Sequence, residues 1–142
     1  MSIKIENLPV TKKIILFDGY CNLCDSSVQW IIKRDKKDSF RFVSLQSELG
    51  QMILDYLCIR EQKIDSIILF EPQKAYYSKA NAVFEIGKTL GGLFYLISFF
   101  SILPNLLTNK IYDWIAKNRY RWFGRKENCM LPTDEVKSKF LS

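Results

Sequence analysis

The chain contains no histidine. That absence removes Cys-His and Ser-His nucleophilic pairs, His-ligated zinc and histidine general-base catalysis. Any chemistry falls to Cys, Asp, Glu, Lys, Tyr or Ser. Cysteine is scarce too: four in 142 residues are too few for a secreted, disulfide-stapled domain, and in a reducing compartment a close pair is more often catalytic or metal-binding. The opening Met1-Ser2-Ile3-Lys4-Ile5-Glu6 lacks the basic patch, apolar core and cleavage site of a secretory leader, so a cytoplasmic setting is expected. Low-complexity stretches and internal repeats are missing, and 48% hydrophobic with 25% charged residues is too apolar a mixture for disorder. One globular domain over residues 12–132 is expected, with a core at about 12–92, a helical extension at about 93–125, and loosely held termini at 1–11 and 133–142.

What is present has a clear order. Lys13-Ile14-Ile15-Leu16-Phe17 is a short apolar run stopped by the turn dipeptide Asp18-Gly19, which predicts a buried strand. From Cys21 the period changes: Cys21, Cys24, Val28 and Ile31, with Ile32 alongside, share one helical seam. Phe40 to Leu45 predicts a second strand, and Leu49, Met52, Ile53, Tyr56 and Leu57 form a helical stripe. Ser66 to Phe70 predicts a third strand, joined through Glu71-Pro72-Gln73-Lys74 to a fourth at Ala75 to Ser78. Lys79 to Leu90 then reads as a helix ended by Gly91-Gly92. The order β-α-β-α-β-β-α predicts an α/β, thioredoxin-like four-stranded mixed sheet flanked by helices, followed by an added C-terminal helical segment.

No charge occurs from Thr89 to Asn109. Two glycines at its start, Ser98 and Ser101 within it, and Pro104-Asn105 near its end argue against an uninterrupted membrane span and for a buried helix or helical hairpin. Leu107, Ile111, Trp114, Ile115 and Asn118 then fall on one helical face, with Lys110, Asp113, Lys117 and Arg121 beside it. The net charge of +6 is concentrated here: Lys110, Lys117, Arg119, Arg121, Arg125 and Lys126 stand against Asp113 and Glu127. An acidic partner would meet this end.

The chemistry-bearing motif is Cys21-Asn22-Leu23-Cys24. At a helix N-terminus the free N–H groups and the positive end of the helix favour a thiolate, the species that attacks a disulfide. Cys21, at the exposed end of the seam, is the expected nucleophile, and Cys24, one turn further in, the resolving thiol. A second reading joins Cys21, Cys24, Cys58 and Cys129 in a four-thiolate zinc or iron-sulfur site, but Cys58 and Cys129 are lone residues at irregular spacing. The plainest reading makes the pair two small core residues. No bound metal or cofactor is expected. Asp18 either makes the turn and accepts backbone N–H bonds or, three residues before the nucleophile, moves protons between the thiols. Tyr20 either shields the disulfide and receives a partner or simply packs.

Taken together, Ile14 to Cys24 resembles the opening of the DCC family of predicted thiol-disulfide oxidoreductases, the match falling on Asp18, Cys21 and Cys24. Tyr112-Asp113-Trp114-Ile115-Ala116-Lys117-Asn118-Arg119-Tyr120-Arg121 resembles that family's C-terminal pattern of a Tyr, an Ala and an Arg-Tyr pair. The resemblance implies a thioredoxin-like fold and dithiol-disulfide exchange with a protein or low-molecular-weight thiol or disulfide. Tyr112, Ala116 and Arg119 share a face suited to packing the added helix on the core. Better-known thioredoxins carry a cis-proline before the third core strand; here Ile64-Asp65-Ser66 precede Ile67, so substrate docking is expected to differ. A competing function is a non-catalytic thioredoxin-like binding module whose basic C-terminal segment meets an anionic membrane surface or protein. Nucleic acid is disfavoured: Tyr120, Trp122 and Phe123 among Arg119, Arg121 and Arg125 make too short a cluster.

Overall fold

The structure, a computed structural model, describes residue 8 and residues 11–18, 22–59, 67–72, 74–123 and 139–141. Along the chain run β1 (Lys13–Phe17), α1 (Asn22–Arg34), β2 (Phe40–Ser44), α2 (Glu48–Tyr56), β3 (Ile68–Glu71), β4 (Ala75–Ser78), α3 (Lys79–Leu90), a 3₁₀ segment (Gly92–Ile102) and α4 (Asn105–Phe123). The sheet order is β2-β1-β3-β4, with β1 parallel to β2 and antiparallel to β3, and β3 antiparallel to β4. This is the expected α/β, thioredoxin-like arrangement.

β1 is central and buried on both faces, as a continuous apolar run requires. Ile14 and Leu16 point into a cluster with Val43, Ile53 and Ile68, under α2. Ile15 and Phe17 point the other way, to Val28, Phe42, Leu69 and Ala82, under α1 and α3. Alternation in the strands thus assigns one helix to one face of the sheet and two to the other.

The turns have identifiable causes. Asp35 accepts backbone N–H bonds from Ser39 at 2.9 Å and Phe40 at 3.0 Å, closing the passage from α1 to β2. Ser47 caps α2, its hydroxyl accepting from Gly50 N at 3.0 Å and donating to Ser44 O at 2.7 Å. A side chain at Gly50 would strike the Ser44 carbonyl, so a glycine lets this helix close on the end of β2. That approach centres the buried face of α2 on Gly50, Ile53 and Leu54, with Leu49 beside them. Tyr56, expected on the inner stripe, is instead exposed and touches only the edge of the core through the Phe70 ring. α3 ends where anticipated: Gly91 and Gly92 both hold positive φ, 69° and 58°, a conformation that costs a side-chain-bearing residue.

Of the two readings of the segment after Gly91, the buried helix fails and the bent helical pair is what forms: a 3₁₀ segment turns at Leu103-Pro104 into α4, the two bent by 117°. Phe94 and Ile97 are half-buried, Phe94 against the Trp30 ring, while most of the segment's other apolar residues face outward, Leu93 being 76% and Ile102 82% exposed. The reason is arithmetic. α1, α2 and α3 already cover both faces of a four-stranded sheet, so the extension has only the outer surfaces of α1 and α3 to lie on. α4 meets them through Thr108, Tyr112 and Ala116, while the 3₁₀ segment lies on α3. Among the described residues no single helix is long and apolar enough to cross a membrane. Near the termini the few described residues are held in place. Leu8 is buried in the core, and residues 139–141 are held: Phe140 bridges Phe42, Leu141 N donates to Phe42 O at 2.8 Å, and the Phe140 ring meets those of Phe17 and Phe42. The unpaired outer edge of β2 and the apolar rings beneath it explain the attachment.

Candidate active site

The carboxyl ends of β1 and β2 lie side by side, Phe17 opposite Ser44. Asp18 follows β1 directly and is buried, with 8% of its surface exposed. Its Oδ1 accepts a hydrogen bond from Gln46 Nε2 at 2.8 Å. Gln46 is itself held, for the Ser44 hydroxyl donates to its Oε1 at 2.8 Å, and its backbone N–H donates to Ser44 Oγ at 3.3 Å. Leu45 N also donates to Phe17 O at 2.8 Å, fastening the β2–α2 loop to the end of β1. The loop that orients Asp18 is thus anchored at both ends, by the sheet and by the Ser47 cap of α2.

α1 begins at Asn22, the residue after Cys21 in the sequence, where the change of period predicts a helix. Cys24 is the third residue of that helix, one turn before the buried Val28. Cys21, Gly19, Tyr20 and Cys129 lie outside the described residues, as do Ile64 to Ser66, and nothing is described of the Cys24 or Arg119 side chains. The structure brings the end of β1, the start of α1 and the β2–α2 loop to one edge of the sheet, where open α/β sheets characteristically bind ligands.

Cys58 has another role. It is exposed and adopts a positive φ of 59° just past Leu57, the C-cap of α2. Its N–H donates to Asp55 O at 3.0 Å, while Ile59 N donates to Leu54 O at 3.0 Å. This pair of bonds is the Schellman stop of a helix, with cysteine where glycine is usual and Ile59 packed near Leu54 in the core. α2 starts beside Ser44 and runs about 13 Å away from the carboxyl edge of β2, on the opposite face of the sheet from α1. Cys58 and the start of α1 therefore lie at opposite ends of the sheet. Among the described residues no group of three or more Cys, Asp or Glu is disposed to hold a metal ion.

Beside α1 lies a cavity of about 790 Å³, bounded by Ser26, Ser27 and Trp30 of α1, by α3, and by Phe100, Ile111 and Tyr112 of the extension. Its walls are almost wholly apolar. At one wall the Tyr112 hydroxyl accepts a hydrogen bond from Ile67 N at 2.9 Å, so α4 holds the residue that leads into β3. The expected packing of the added helix through Tyr112 and Ala116 is thus observed, with Thr108 as a third, buried member of that face.

Gln46 is the site residue that motif reading misses. It belongs to no pattern with Cys21 and Cys24, but a polar residue in the first loop after a parallel strand lies, by topology, at the same edge as the loop after β1. That rule would have flagged it.

Comparison with known proteins agrees with this architecture. The family model described as DCC1-like thiol-disulfide oxidoreductase matches residues 15–125. The uncharacterized protein YuxK of Bacillus subtilis is 40% identical over 136 residues, 96% of this chain and 97% of that protein. A chloroplastic DCC family protein of Arabidopsis thaliana is 36% identical over 121 residues, 84% of this chain and 70% of that protein. No solved structure gives a significant match. With a family match spanning most of the sheet and the extension, and a near full-length relative at 40% identity, the chain belongs to the DCC1-like thiol-disulfide oxidoreductase family.

Proposed function

We propose that the chain is a thiol-disulfide oxidoreductase working through Cys21 and Cys24, with Asp18 as its proton carrier. The observation that carries this reading is the buried Asp18 carboxylate, held by Gln46 at the end of the sheet where α1 begins. A carboxylate oriented by an amide and largely shielded from water suits proton transfer, and a helix N-terminus suits a thiolate.

The Cys21 thiolate attacks one sulfur of a substrate disulfide, forming a mixed disulfide and releasing one substrate thiolate. Cys24 then gives its proton to Asp18 and attacks the Cys21 sulfur. The Cys21–Cys24 disulfide closes, the second substrate thiolate leaves, and two electrons have passed from the dithiol to the substrate. Run backwards, the same steps oxidise a substrate dithiol. The apolar cavity beside α1 favours a protein or apolar thiol over a small, highly charged one such as glutathione.

Trapping tests the assignment of roles. Incubated with a protein disulfide substrate, the Cys24→Ser variant should accumulate a mixed disulfide at Cys21, mapped by peptide mass, whereas Cys21→Ser should form none. Accumulation at Cys24 in the Cys21→Ser variant, or turnover by either variant at the wild-type rate, would overturn it.

A further inference from the structure

We infer that the face formed by the 3₁₀ segment and α4 docks on an anionic lipid bilayer, lying in the headgroup boundary without crossing it. The inference does not depend on the dithiol chemistry. Leu93, Leu96, Phe99 and Ile102 of the 3₁₀ segment and Leu106 and Trp114 of α4 are all exposed by half or more. So many exposed large apolar residues gathered in one segment of a folded chain mark an interaction site. Its chemistry selects the partner. Along α4, Leu107, Ile111, Trp114 and Trp122 occupy a sector between the inward-facing Thr108, Tyr112 and Ala116 and a row of cations, Lys110, Lys117 and Arg121. An apolar sector edged by lysine and arginine is the pattern of a helix in the interface plane, where long cationic stems reach up to lipid phosphates. Trp114 and Trp122, exposed and in edge contact at 5.0 Å between ring centroids, are the side chains that favour this boundary.

Geometry excludes spanning by either element alone. Eleven residues of 3₁₀ helix reach about 22 Å, short of the roughly 30 Å hydrocarbon core, and α4 carries Lys110, Asp113, Lys117 and Arg121 along its length. A second copy of the chain is the poorer occupant. Between residues 92 and 123 the only acidic side chain is Asp113, so a self-contact would leave the cation row unmatched, whereas an anionic headgroup matches it. Phe100 and Ile111 belong both to this exposed face and to the cavity wall, so the cavity communicates with the surface that would meet lipid.

Flotation of the full chain with vesicles of phosphatidylcholine alone, and of phosphatidylcholine mixed with phosphatidylglycerol, tests the inference, with tryptophan quenching by brominated lipid as a second readout. The chain should float with the anionic vesicles, less so at high salt, and with quenched tryptophan emission. Ile102→Glu with Leu106→Glu, both at exposed positions, should weaken binding by about tenfold or more and leave the circular dichroism and Tm unchanged. Lys110→Glu with Lys117→Glu should abolish the preference for anionic vesicles. Failure of the wild-type chain to float would overturn the inference. So would flotation unaffected by the glutamate pair, or a concentration-dependent dimer that the same pair dissociates while vesicles remain unbound.

Discussion

The sheet with α1 to α3 and the extension after Gly91 are both rich in apolar residues, yet their fates differ. In the first, Ile14, Ile15, Leu16, Phe40, Phe42 and Leu69 lose all contact with solvent. In the second, Leu93, Phe99, Ile102 and Leu106 keep more than half their surface. The difference lies in geometry. A four-stranded sheet has two faces, and three helices suffice to cover them. Further apolar segments find no third face, and are retained on the outside of α1 and α3 with one side free. Apolar composition alone therefore does not say whether a residue supports the fold or meets something outside it.

Truncating the two regions separates these roles most sharply. Phe42→Ala or Leu69→Ala should lower unfolding free energy by about 3–5 kcal/mol, whereas Leu93→Ala or Ile102→Ala should stay within about 0.5 kcal/mol, both read by urea denaturation. A large loss at Ile102 would mean that the extension is core after all. At the seam between the regions, Tyr112→Phe removes the acceptor for Ile67 N–H. It should cost about 1–2 kcal/mol and accelerate amide exchange at Ile67 without freeing the rest of α4, which Thr108 and Ala116 still attach.

Within the first region, Cys58→Gly should raise stability by about 1 kcal/mol, because glycine adopts the positive φ without strain. Thiol-disulfide exchange should be unchanged in this variant, as Cys58 ends α2 far from the start of α1. Loss of exchange would draw Cys58 into the site. The smallest effect concerns the tail. Arg41, first, and Lys139 hydrogen-bond the Asp38 carboxylate and hold its pKa well below the ordinary carboxylate value. A depressed carboxylate contributes stability that is present above its unfolded pKa of about 3.9 and is lost as pH falls through the folded value. Half of the Asp38 side chain is exposed, so the whole contribution is about 0.5 kcal/mol. Asp38→Asn should accordingly abolish an acid-dependent rise in exchange at the Leu141 N–H, which reports the tail's bond to Phe42.

Regular elements could be read from the residues because each combines a period with a stop: Ile14 to Phe17 ended by Asp18-Gly19, and Lys79 to Leu90 ended by Gly91-Gly92. The start of α1 at Asn22 followed from the same kind of signal, a change of period in the sequence. Other features depend on contacts that no local pattern encodes. Gln46 reaches Asp18 only because β1 and β2 are parallel neighbours. Phe140 joins β2 from a stretch too short to carry a period, and its partner, Phe42, is far away in sequence. The outward face of the extension is set by how many helices the sheet had already accommodated, a count that belongs to the assembled fold.

The central claim, that Cys21 and Cys24 form a working redox pair beside Asp18, is tested most directly by equilibrating the purified chain in a glutathione series. Each sample is quenched with an alkylating reagent, read by peptide mass and assayed for metal. The account predicts one reversible Cys21–Cys24 disulfide, with Cys58 alkylated throughout and a midpoint between about −120 and −270 mV, the range of dithiol oxidoreductases. A chain whose Cys21 and Cys24 never pair, and which carries stoichiometric zinc or iron, would contradict it.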